Sequence, residues 1–157
     1  MKALQLLCKT TDSFAPAIAR LTLGIVMFPH GAQKALGWFG GYGFSGTMNF
    51  FTQQMHIPAP LAFLAIAAEF AGSMGLILGC LSRVAALGIA TNMVVAIATV
   101  HAANGFFMNW FGNQKGEGFE YHLLAIGLAL IVIFYGAGAA SLDRYFSRRC
   151  GQKAIAE

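Results

Sequence analysis

Four long apolar runs constrain this chain more than any other feature of its sequence. They cover residues 15–36, 61–81, 84–103 and 121–140. A helix that crosses the hydrocarbon core of a bilayer needs about 20 mainly apolar residues, which is the length of each run. Only 10% of the 157 residues are charged, whereas an ordinary soluble domain has about a quarter. The sequence therefore predicts an all-α membrane protein, a bundle of four transmembrane helices.

The positions of lysine and arginine predict how this bundle is oriented. These residues occur in the N-terminal segment, at Arg83 between the second and third runs, and in the segment 141–157. The connection 37–60 has neither residue, and the connection 104–119 has only Lys115. By the positive-inside rule both termini are predicted to be cytoplasmic, with 141–157 as a basic tail, while the two longer connections face outward. The net charge of +4 forms no basic stripe with interleaved aromatics, so the predicted partner is the bilayer and not a nucleic acid.

The two outward connections are rich in glycine and aromatic residues. The first contains Trp38 and continues into 47–55, a stretch that fits a short amphipathic helix at the membrane surface between the first two spans. The second contains Phe106 and Phe107. Two interpretations stay open: these rings form an aromatic belt at the membrane surface, or they form a lid over the mouth of a pocket.

Six ionisable residues from four segments fall in the predicted outer half of the bundle: His30, Lys34, Glu69, His101, Glu120 and His122. A charge at the centre of a membrane costs at least about 2.5–3.5 kcal/mol on insertion scales, so each such residue needs a partner or a function. Glu69 is too deep to reach water easily, and we expect it to be functional or to be paired with Lys34 or Arg20. Lys34, Glu120 and His122 also fit a simple location at the membrane surface. His101 also fits a structural role.

The spacing of these residues adds further expectations. Glu120 and His122 cannot share a face of a regular helix, so at most one of them points inward. His30, Glu69, His101 and Glu120 could together form a metal site, but no close ligand pair such as H-x-x-x-H is present, so this signal is weak and we predict no metal ligand. Cys8, Cys80 and Cys150 fall on the predicted cytoplasmic side, away from the polar residues, and suggest no disulfide framework.

Several short motifs carry a resemblance to a known family. F-P-H-G-A-Q-K at 28–34, followed by G-W-F-G-G at 37–41, is similar to the first-helix signature of the DoxX family. E-F-A-G in the second run resembles another element of that family, and further similar segments lie at 81–86, 100–107, 118–120 and 141–143. The resemblance implies a four-helix protein of the bacterial inner membrane. It also implies a link to quinone-dependent sulfur oxidation and to thiol or oxidative-stress functions, although many members are labelled oxidoreductases without a demonstrated reaction.

The residues and the resemblance lead to one hypothesis and one alternative. In the first, the protein is a membrane oxidoreductase, or a subunit of a quinone-linked complex with a redox partner protein, and its ligand is a quinone-like head group or another small substrate. Glu69, His30 and His101 are the predicted catalytic residues, and the predicted substrate contacts are Lys34, Trp38, Phe106, Phe107 and Glu120. In the alternative, the protein is a non-enzymatic membrane scaffold or a small-solute permease that recruits partners. Whether it is an enzyme, and whether it forms oligomers, stays open.

Overall fold

Residues 8–153 are described by a computed structural model, and the side chains are described up to residue 149. The regular elements of this part of the chain are all helical, as predicted. In chain order they are α1 (Phe14–Leu36), α2 (Gly43–Asn49), α3 (Ala59–Leu78), α4 (Ser82–Ala96), α5 (Glu120–Tyr135) and α6 (Leu142–Lys153). Single π-helical turns at Phe50–Gln54 and Ile97–His101 extend α2 and α4.

The four longest apolar helices pack in pairs around one core. α1 contacts α3 and α5, and α4 contacts the same two helices. Small residues allow the close approach: the Cβ of an alanine at Gly31 of α1 would lie 2.6 Å from the backbone nitrogen of Phe70 in α3. The buried core between the helices is made by alanines and by a few larger side chains, among them Leu23, Met27 and Ile89.

Within residues 8–153, two helices are long and apolar enough to cross a membrane. They are α3, with a mean hydropathy of 2.0, and α4 with its extension to Asn104, with a mean hydropathy of 1.8. Only 28% and 22% of their most apolar windows are buried within the chain, whereas the core helix of a soluble protein is mostly buried. Of the other two predicted spans, α5 is apolar but has 16 residues, and α1 carries Arg20 and Lys34.

The helix ends differ from the predicted runs where glycine stops a helix. The fourth run was predicted to continue to residue 140, but α5 ends at Tyr135 because Gly136 takes a φ of 82°. The second run was predicted to end at residue 81, but α3 ends at Leu78, before Gly79 with a φ of 68°. The amphipathic segment predicted at 47–55 overlaps α2 and the π-helical turn that follows it.

We call the end of the fold where α1 begins the tail end, and there a buried arginine joins three segments. Arg20 is only 2% exposed. Its guanidinium donates five hydrogen bonds, to the backbone oxygens of Leu76 (2.7 Å), Ile77 (2.8 Å), Ala137 (2.8 Å), Ala139 (3.4 Å) and Ala140 (2.7 Å). These oxygens belong to the last turn of α3 and to the segment after α5, where carbonyls have no partner within a helix. Arg20 is therefore not the partner of Glu69.

Asp143, near the start of the segment 141–157, fixes this segment to the turn between α3 and α4. Asp143 is buried, and its two carboxylate oxygens accept hydrogen bonds from the backbone nitrogens of Leu81 (2.8 Å) and Ser82 (2.9 Å). These bonds satisfy backbone donors at the start of α4. Residues 154–157 of the predicted tail, and the side chain of Cys150, lie outside the described part of the chain.

Candidate functional site

At the opposite end, which we call the loop end, an ion pair connects α1 and α3. The Nζ atom of Lys34 lies 2.6 Å from Oε2 of Glu69. The side chains are 28% and 9% exposed, respectively, so this pair is only partly open to solvent. Asn92 of α4 donates to the backbone oxygen of Ala65 at 2.7 Å and approaches Oε1 of Glu69 at 3.5 Å. Of its two expected partners, Lys34 and Arg20, Glu69 therefore pairs with Lys34.

Two histidines from different helices face each other beside this pair. The rings of His101 and His122 have centroids 4.1 Å apart. Nδ1 of His101 lies 2.8 Å from the backbone oxygen of Glu117, and because a carbonyl oxygen can only accept, this nitrogen is the donor. His122 is 6% exposed, and its buried Nδ1 has no hydrogen-bond partner in the described structure. The orphaned nitrogen is the site's clearest unmet polar group.

The side chain of Glu120, which cannot share a helix face with His122, points away from it. Its Oε1 accepts from the backbone nitrogen of Met108 at 3.0 Å and from Nε1 of Trp110 at 3.2 Å. The carboxylate therefore fixes the connection before α5 and does not line the cavity described below. Of the two residues that cannot share a helix face, His122 is the one that points inward.

A cavity of about 360 Å³ lies between the helices at the loop end. Its polar lining comes from all four long helices and from the connection before α5: His30, Lys34, Glu69, Asn92, Thr99, His101, Glu117, Tyr121 and His122. The remaining wall is mostly apolar and includes side chains from both π-helical turns. Tyr121 donates a hydrogen bond to the sulfur of Met27 at 3.3 Å, and its ring lies 6.2 Å from that of His30.

The structure brings together only part of the predicted site. His30, Lys34, Glu69 and His101 line one cavity, but Trp38, Phe106 and Phe107 do not. Those three rings are exposed and pack against neighbouring aromatic side chains of their own connections. A ring that is close in sequence to a cavity residue can turn away, because loop direction is set by tertiary contacts that the sequence does not display.

Several polar residues of the cavity were not predicted as site residues: Asn92, Glu117, Tyr121 and His122, the last of which was only one of the six ionisable residues placed in the outer half. Asn92 carried a usable signal, because an amide in the middle of an apolar span needs a buried partner. Tyr121 carried none, since a tyrosine at the start of a span is also typical of the membrane surface.

The described residues contain no group of three or more histidine, cysteine or acidic side chains placed to hold a metal ion. The charges of Lys34 and Glu69 offset each other, the exposed Glu117 adds a second carboxyl group to the wall, and the other polar groups are hydrogen-bond donors and acceptors. The arrangement is suited to a small polar or aromatic head group that makes hydrogen bonds within a largely apolar wall.

A sequence model of the DoxX family matches residues 15–102, which is more than half of the chain. The chain belongs to the DoxX family. It is also similar to an uncharacterized protein of Haemophilus influenzae, with 31% identity over 140 residues, covering 85% of this chain and 91% of the relative. No solved structure matches it. In this DoxX protein the matched segment contains His30, Lys34, Glu69 and His101, whereas Tyr121 and His122 follow it.

Proposed function

We propose that this DoxX protein binds a quinone head group in the loop-end cavity and acts as a small oxidoreductase, or as a subunit of a quinone-linked redox complex. One observation carries the proposal: the cavity combines an apolar wall with convergent polar side chains, one of which, His122, has a buried nitrogen without a partner. Few, precisely placed polar groups within an apolar wall are what binding of a ring with carbonyl oxygens requires.

The proposal includes a membrane location. We infer a bundle of four transmembrane helices in a bacterial inner membrane, with both termini cytoplasmic. The large unburied apolar surface of α3 and α4 supports contact with lipid. Basic residues Lys9, Arg83, Arg144, Arg148 and Arg149 are concentrated at the tail end, and the positive-inside rule assigns that end to the cytoplasm.

The chemistry assigned to the site is proton supply to a reduced ring. Conversion of a quinone to a quinol takes two electrons and two protons, and both protons end on the two ring oxygens. The electrons come from a redox partner protein. Glu69 is the proposed proton carrier, Lys34 offsets its charge when it is ionised, and His30 and His101 hydrogen-bond the ring oxygens.

Exchange of one carboxylate tests this function. Glu69→Gln keeps the side-chain volume but removes the titrating group, and we expect the purified variant to retain the parent's melting temperature within a few degrees. Quinone extracted from the preparation, and uptake of added decylubiquinone, should fall by about tenfold or more. Glu120→Gln is the matched control, because it changes a carboxyl group at the same end that does not line the cavity. A parent protein that contains no quinone and takes up none would refute the proposal.

A second function is favoured by the ion pair itself. The pair connects α1 to α3, and both oxygens of Glu69 have polar neighbours, as in a structural network. In this alternative the protein is a membrane scaffold or a small-solute permease that recruits partners. Glu69→Gln would then lower the melting temperature strongly, and Lys34→Met would do the same, without any bound quinone in the parent.

A further inference from the structure

Two π-helical turns border the same cavity. One follows α2 at Phe50–Gln54, and the other follows the regular part of α4 at Ile97–His101. Phe50 of the first turn and Val100 of the second line the cavity wall. A π-helical turn inserts one residue into a helix and redirects the neighbouring side chains, and such turns are frequent at functional sites. The presence of two such turns at one cavity therefore indicates a functional site.

Some residues of this wall are also exposed: His30, Phe50 (39% exposed), Val95 (45%), Thr99, Val100 (45%) and Glu117. A side chain that lines the cavity and is also exposed lies where the wall is thin or open. Those of α4 and of the two π-helical turns are apolar except for Thr99. Val95 and Val100 belong to one of the two described helices that are long and apolar enough to cross a membrane. In a membrane, this part of the wall faces hydrocarbon, and an opening here would admit a ligand from the lipid.

The cavity combines buried polar groups with this exposed and largely apolar part of its wall. The buried groups Glu69 and His122 lie among its polar lining, and His122 has the nitrogen that lacks a partner. Met93 is buried and lines the cavity on the same helix as Val95. A ligand that satisfies the histidine and also fills the opening needs a polar head and an apolar tail.

We propose that the ligand is an amphiphile that enters sideways from the bilayer, between the π-helical turns after α2 and within α4. The inference rests on the proposed function and specifies how its substrate is selected. The head group lies among His30, His101, His122 and Glu69, and the tail passes Phe50 and Val95 through this opening into the lipid. A head group that lacks a tail loses the part of the interaction that this opening supplies.

Blocking the opening tests the proposal directly. Val95→Trp narrows it, whereas Val94→Trp puts the same bulk on the neighbouring exposed position, which does not line the cavity. With full-length protein in lipid nanodiscs, we expect Val95→Trp to weaken decylubiquinone binding by about tenfold or more, and Val94→Trp by less than about twofold. The ligand partitions into the bilayer equally in both cases, so the ratio reports on the protein. Equal binding by the two variants would overturn the proposal.

A labelling experiment examines the route without a quinone. Met93→Cys introduces a thiol inside the cavity, and Ile89→Cys introduces one at a buried position of the same helix that does not line it. We expect a lipid-soluble maleimide to label Met93→Cys above the parent level, a charged maleimide not to label it, and Ile89→Cys to stay unlabelled. Adding Val95→Trp should suppress the labelling.

The two experiments separate the two proposals. Labelling by the charged reagent, or by neither reagent, contradicts lateral entry even if quinone binds. Labelling from lipid that Val95→Trp blocks supports the lateral opening even if quinone does not bind, and in that case the quinone assignment fails alone.

Discussion

Replacement of Arg20 should destabilise the protein more than replacement of any exposed arginine. The guanidinium uses all five of its N–H groups on backbone oxygens at the end of α3 and after α5. A lysine ammonium has three N–H groups, so Arg20→Lys loses at least two of these bonds and cannot reproduce the planar fork. Arg20→Ala loses all of them: the oxygen of Leu76 keeps a bond from the backbone nitrogen of Gly79, and the other four oxygens lose the donor that Arg20 supplies.

The size of the effect follows from the number of lost bonds. A hydrogen bond from a charged donor contributes a net of about 1.5–3 kcal/mol. Because the bond to Ala139 is long, at 3.4 Å, the lower part of this range applies to the bonds that lysine loses, which gives about 3 kcal/mol for Arg20→Lys. For Arg20→Ala we expect more than about 5 kcal/mol, which is comparable with the whole stability of many domains.

Reversible unfolding in mixed detergent micelles, followed by helical circular dichroism, measures both changes. Arg148→Ala is the matched control: this arginine is exposed and pairs with Asp12 at 3.0 Å, so its loss should cost less than about 1 kcal/mol. The reasoning fails if Arg20→Ala unfolds within about 1 kcal/mol of the parent. It also fails if Arg20→Lys is as stable as the parent, because the count of donors would then be irrelevant.

Three further predictions concern packing, pH and ligand binding. Gly31→Ala should cost about 1–3 kcal/mol by forcing α1 away from α3, whereas Gly127→Ala, where a Cβ meets nothing within 4 Å, should be neutral or stabilising in the same unfolding assay. The Arg144 guanidinium, 2.6 Å from Asp12, holds the pKa of that carboxyl in the folded protein below its usual 3.8. The pair therefore stabilises the folded protein at pH values above the pKa that Asp12 has in the unfolded chain. This contribution is lost as the pH falls through the lower pKa of the folded state. Asp12→Asn should therefore be slightly less stable than the parent at pH 7, with a difference that disappears in acid; a difference independent of pH would contradict this assignment. His122→Phe should leave the melting temperature nearly unchanged, because Nδ1 has no partner to lose, yet reduce decylubiquinone binding about tenfold, and unchanged binding would exclude this histidine from the site.

The sequence predicted the helical content because the signal for it is local. An apolar run between the Ser13 cap and Gly37 is sufficient to define α1, and the spacing of Glu120 and His122 was sufficient to say that at most one points inward. The ends of α3 and α5 were predicted less well, because Gly79 and Gly136 stop helices within runs that remain apolar. Hydropathy does not register a change in backbone conformation.

The candidate site was only partly predictable, because its members meet through tertiary packing. Facing rings of His101 and His122 come from helices whose relative height no spacing rule fixes. The partners of Arg20 were not predictable for a different reason: they are backbone carbonyls, which every residue has and which leave no mark in the sequence. The sequence could predict that Arg20 needs partners, but not that these partners are backbone oxygens at the end of α3 and after α5.

The two ends of the fold differ in how their buried charged groups are used, and this separates stability from binding. At the tail end, Arg20 and Asp143 bond to backbone groups and so hold the ends of helices, although the buried Oγ of Ser82 has no partner there. At the loop end, His122 keeps an unsatisfied nitrogen beside a cavity. Arg20 and Lys34 lie on the same helix about 20 Å apart at a rise of 1.5 Å per residue. Substitutions at such a distance usually add within about 0.5 kcal/mol, so the protein can vary its cavity while the tail end holds the helices in place.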